Sequence, residues 1–155
     1  MDQPGALLAS GRGSDIFEYD KGLGLRRSRE DRFMATEART MEYVRAQGYL
    51  VPGVLEISDD GIDLVMERVD GPSMLGDITK RPWTVRQQGS LLAELHQRLH
   101  EIPAPDWLPD APCGEGDRLI HLDLHPLNVS PRPWCSPALG GRRSGATTST
   151  ARGPN

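Results

Sequence analysis

His121-Leu122-Asp123-Leu124-His125-Pro126-Leu127-Asn128 packs two histidines, one aspartate and one asparagine into eight positions. Apolar residues flank it at Leu119, Ile120 and Val129, and Pro126 fixes a backbone dihedral inside it. The pattern predicts a loop held rigidly at its ends, which is what a site needs to fix an acid/base group beside a substrate. Two other readings of the same residues stand beside this one. If the segment were a strand, His121, Asp123 and His125 would share one face and offer three ligands to a metal ion, as in a metal-dependent hydrolase. In the other, the histidines cap a loop in a domain with no catalytic role.

Upstream of this segment, Thr84-Val85-Arg86-Gln87 matches a capping box and opens a helix that Pro103 ends. Val85, Leu92, Leu95 and Leu99 form its apolar stripe. His96 and His100 stand four apart on it, a spacing that can hold zinc. The intervening residues lack the metalloprotease glutamate, so partly buried structural histidines are expected. Glu67-Arg68-Val69-Asp70-Gly71-Pro72 reads as a hinge between two regions, 6–70 and 71–129.

Before the hinge, short apolar runs alternate with turn signals. Residues 6–9 lead into Ser10-Gly11-Arg12-Gly13-Ser14-Asp15, a glycine-bearing turn. Residues 16–19 and 23–26 read as strands around Asp20-Lys21-Gly22. Residues 54–57 and 62–66 form a second pair around Asp59-Asp60-Gly61, where the Asp-Gly step signals a hairpin. Between the pairs a helix is expected over 31–47, closed by Gly48. Phe33, Glu37, Met41 and Val44 fall on one of its faces. A carboxylate within an apolar stripe is costly to bury unpaired, so Glu37 needs a cation, with Arg26 or Arg27 nearest in sequence.

The pattern His-x-Asp-x-His-Pro-x-x-Asn resembles the catalytic loop of the aminoglycoside phosphotransferase family, relatives of choline and protein kinases. Leu122 stands where that family usually has glycine. The order of a glycine-bearing strand pair, a strand ending in a basic residue, a helix with an inward glutamate, a hinge, a capped helix and this loop is that of kinases. The resemblance covers residues 6–129 and implies an α+β, protein kinase-like fold with ATP and magnesium as cofactors. It implies that Asp123 orients a substrate hydroxyl and accepts its proton, and that Asn128 ligates magnesium. Arg26, held by Glu37, would take the place of the usual strand lysine. The Gly11, Gly13 and Ser14 turn would lie over the phosphates. Met66, Glu67 and Val69, in the hinge, would hold the adenine through backbone groups. The second substrate would be a small hydroxylated molecule.

Past Asn128 the agreement ends. Residues 130–155 contain no aspartate or glutamate, whereas the family implies a second, metal-binding aspartate soon after the loop. Their composition, rich in Pro, Gly, Ser and Arg, predicts disorder. A frameshift or premature end accounts for the change, a natural flexible tail being the alternative. Either way transfer is expected to be impaired, which leaves a non-catalytic kinase remnant or binding module as the second function. Loss of cover is also expected to expose Val129 and the apolar face of the preceding helix.

Bulk properties narrow the remaining classes. With 37% hydrophobic and 26% charged residues the chain is neither membranous nor disordered overall. A net charge of −4 without a basic face argues against nucleic-acid binding. No run approaches the roughly 20 apolar residues of a membrane helix. Cys113 and Cys135 have no CxxC partner and make no disulfide framework. A cytoplasmic enzyme without membrane contact is the resulting expectation.

Overall fold

A computed structural model describes residues 4–11, 13–30, 34–109 and 116–131. Arg12, Phe33, Cys113, Cys135 and residues 132–155 of the expected tail lie outside the described residues. Five strands and three α-helices follow in the order β1 (Leu7–Ser10), β2 (Ser14–Glu18), β3 (Leu23–Ser28), α1 (Ala35–Ala46), β4 (Val54–Ile57), β5 (Asp63–Glu67), α2 (Met74–Lys80) and α3 (Val85–His100). A 3₁₀ turn, Pro82–Thr84, joins the last two. The chain is therefore α+β. Among the described residues no helix is long and apolar enough to cross a membrane.

The strands form one antiparallel sheet in the order β1-β2-β3-β5-β4. Two glycines set its hairpins: Gly22 and Gly61 adopt φ of 77° and 73°, which residues bearing a Cβ rarely adopt. Both expected strand pairs are present. β2 begins two residues earlier than expected, at Ser14, and β3 runs on to Ser28. The helix expected over 31–47 is helical over Ala35–Ala46. Gly48, at φ 81°, ends it by donating to the Arg45 carbonyl while Tyr49 N–H reaches Val44.

Helix α1 packs on the sheet through Met34, Ala38, Leu64 and Met66, with Ile16, Met41, Val54 and Ile57 at the margin. A second cluster crosses the hinge. Val44 and Tyr49 join Met74, Leu95, Leu99, Ile102, Leu119 and Val129 in one buried group. Tyr49 Oη donates to the Leu95 carbonyl at 3.3 Å, and Tyr43 Oη to that of Pro103 at 3.0 Å. Arg39 stacks over the Trp107 ring at 4.1 Å, and Tyr43 meets the same ring edge-on. These contacts tie α1 to the chain that follows α3.

Three local expectations are corrected. Thr84 does not close a capping box. Its hydroxyl donates to the Arg81 carbonyl within the 3₁₀ turn, which occupies the positions a box would need. Val85 is half exposed rather than part of the buried stripe, because the same turn swings it outward. Val129, Leu95 and Leu99 are covered by Met74, Ile102 and Leu119 and so are not exposed as expected, whereas Leu122 and Leu127 on the loop and Trp83 before α3 are.

Candidate functional site

Residues 121–128 form successive turns with no strand, so the alternating one-face geometry required by the metal reading is absent. Hydrogen bonds close the loop on itself. Asn128 Nδ2 donates to the Asp123 carbonyl at 2.5 Å, and Asn128 Oδ1 accepts from His125 N–H at 3.0 Å. Asn128 N–H returns to the His125 carbonyl at 3.1 Å. His121 Nδ1 accepts from Asp123 N–H at 3.1 Å, and His125 Nδ1 from Leu127 N–H at 3.2 Å. A nitrogen that accepts an N–H carries no proton of its own, so the bonds fix both tautomers.

This network leaves the Asp123 carboxylate outside the loop's own bonding. Its side chain is 80% exposed, with His125 Nε2 3.4 Å away. Asn128 spends its amide nitrogen and one oxygen lone pair on the loop and keeps a second lone pair. Among the described residues no three His, Cys, Asp or Glu side chains converge as a metal-binding group. His96 and His100 lie with ring centroids 6.1 Å apart on α3.

On the sheet, Arg26 joins three elements. Its Nε donates to Ser14 Oγ at 2.9 Å, at the start of β2, and its Nη1 pairs with Glu37 on α1. Arg27, the other candidate partner for Glu37, points to the opposite face and forms a two-pronged pair with Asp63 at 2.8 and 2.6 Å. Alternation along the strand separates the two arginines.

The glycine-bearing turn is braced from β3. Arg29 N–H donates to the Gly13 carbonyl at 3.0 Å, and its guanidinium holds both Asp15 and Ser10. Arg29 and the Ser10 hydroxyl hold the Asp15 carboxyl at a pKa of about 2. Gly11 N–H is bonded to the Ser14 carbonyl at 2.8 Å, so that amide closes the turn and does not face outward.

The hinge backbone is also engaged. Glu67 N–H donates to Gly53 at 2.9 Å and Arg68 N–H to Gly22 at 2.9 Å. The Glu67 carboxylate receives Arg45 and Gly53 N–H. Met66 is buried in β5, while Val69 lies beyond the strand and is 43% exposed.

His121 stands at the head of the loop. Its imidazole is pushed below the ordinary value, first by desolvation of the ring, with His96 acting the same way and Asp123 and Glu37 opposing. The residue as a whole keeps exposed surface.

Sequence reasoning did not single out Ser10, Arg29, Asp77 or Gln88. Arg29 sits just past a strand end, where a basic residue reads as solvated. Asp77 and Gln88 are polar residues that the fold buries. No protein-family model matches the chain, and no curated protein is significantly similar to it.

Proposed function

We propose that this chain carries the nucleotide-binding lobe and catalytic loop of a small-molecule kinase. In this reading its fold is protein kinase-like, of the aminoglycoside phosphotransferase and choline kinase type. It binds ATP with magnesium and directs the γ-phosphate to a hydroxyl of a small substrate. One observation carries the reading: Arg26 on β3 pairs with Glu37 on α1 and also holds Ser14 at the glycine-bearing turn. A turn, a cation and its carboxylate partner are thus joined on the sheet side, and the 121–128 loop would supply the acid/base group that phosphoryl transfer uses.

The donors suit a hard cation, which prefers oxygen: the exposed Asp123 carboxylate and the remaining Asn128 Oδ1 lone pair. Bound magnesium would neutralise phosphate charge. Asp123 would orient the substrate hydroxyl and take its proton, its loop already held by Asn128. Arg26 would offer its guanidinium to phosphate oxygens, with Glu37 fixing its angle. Val69 would border the adenine.

A second reading, a nucleotide-binding module without turnover, is favoured by one observation: residues 129–155 supply no carboxylate to complete a metal site. ATP turnover with magnesium and a panel of hydroxylated small molecules separates the two. Turnover abolished by Asp123→Asn supports the kinase, and nucleotide binding without Asp123-dependent turnover supports the module. The hydrolase reading is weaker, since His121 and His125 each accept a backbone N–H at Nδ1, which puts the ring proton on Nε2 and leaves neither nitrogen free to ligate.

A further inference from the structure

Between α2 and α3 lies a buried polar pair with no part in the site described above. Asp77 is 4% exposed and Gln88 6%. Gln88 Nε2 donates to Asp77 Oδ2 at 2.8 Å, and Arg81 Nε donates to Asp77 Oδ1 at 3.0 Å. Gln88 Oε1 has no protein partner among the described residues.

An apolar pair would hold two helices together at least as well, so a buried carboxylate–amide bond is weak evidence for stability. What it adds is direction, because a hydrogen bond fixes the rotation of one helix on another where apolar contact does not. Rotation matters for α2, whose backbone reaches the loop. Met74 N–H donates to the Val129 carbonyl at 2.7 Å and Leu75 N–H to that of Pro126 at 2.9 Å. Those carbonyls bracket Leu127 and Asn128. A helix of 7 residues is too short to hold its own geometry and depends on its anchors.

We infer that Asp77 and Gln88 are positioning residues for the 121–129 loop: they lock the rotation of α2, and α2 holds the carbonyls on either side of Asn128. The role in catalysis rests on the kinase reading, whereas the mechanical link does not.

Amide hydrogen exchange on the full chain tests it without nucleotide. Gln88→Leu and Asp77→Leu keep apolar bulk and remove the bond. Exchange at Leu75, His125 and Asn128 is expected to quicken about tenfold, with the β3 and β5 amides unchanged. Asp77→Asn is expected to restore slow exchange, because a turned-over Gln88 amide can accept from the new side chain. Unchanged loop exchange, uniform acceleration across the sheet, or failure of Asp77→Asn to rescue would each overturn the inference. Failure of ATP to bind would instead count against the kinase reading and leave the exchange result standing.

Discussion

Arg26 on β3 and Glu37 on α1 form an ion pair whose side chains remain 30% and 40% exposed. Because water still reaches both, the pair contributes little to folding, below about 1 kcal/mol. Its consequence is orientation. Arg26 reaches Ser14 through Nε and Glu37 through Nη1, two nitrogens that one planar group holds at a fixed angle.

Glu37→Gln and Arg26→Lys should therefore leave thermal stability nearly unchanged. Nucleotide affinity should fall about tenfold, the weight of one charge-assisted hydrogen bond. Calorimetric titration beside a melting curve checks both halves. A large loss of stability with unchanged affinity would assign the pair to folding instead.

Met74 is 1% exposed and sits in the cluster that joins Val44 and Tyr49 to α3. Met74→Ala should cost about 2–5 kcal/mol. Because the cluster crosses the hinge, sheet and helices should still melt together, read as coincident near- and far-ultraviolet circular dichroism transitions.

Asp15 gives a pH signature. Its carboxyl titrates at about 2 rather than 3.8, so the folded state binds that proton less readily than the unfolded chain. The stabilisation is fully present above the ordinary value and disappears as pH falls through about 2. Carbon-detected NMR titration should give that midpoint, and Asp15→Asn should converge with the parent in stability as acid is added. A midpoint at the ordinary value would remove Arg29 as the brace of the turn.

Asn128→Asp should loosen the loop, because the new carboxylate cannot donate to the Asp123 carbonyl that Asn128 Nδ2 now holds. The His125 amide, whose acceptor remains an oxygen, should shift less than the backbone around Asp123 in an NMR map.

The strands and helix α1 were legible because turn glycines and apolar runs are local signals. Gly22, Gly48 and Gly61 each mark a chain reversal or helix end that their neighbours also announce. A cationic partner for Glu37 was legible too, and alternation along β3 decides between Arg26 and Arg27. Helix α2 and the Asp77–Gln88 pair were not, since a polar side chain in sequence gives no sign of the neighbour that allows its burial. Thr84 misled because a capping box looks the same whether or not a 3₁₀ turn claims its hydroxyl. The loop's residues were evident, but the use of Asn128 as a clamp on Asp123 depends on turns that only the folded chain reveals.

Titration of the full chain with ATP, with and without magnesium, bears most directly on the proposed site. The account predicts saturable binding that strengthens with magnesium and weakens in both Arg26→Ala and Asp123→Asn. Binding that ignores magnesium and both substitutions, or no saturable binding at all, would contradict it.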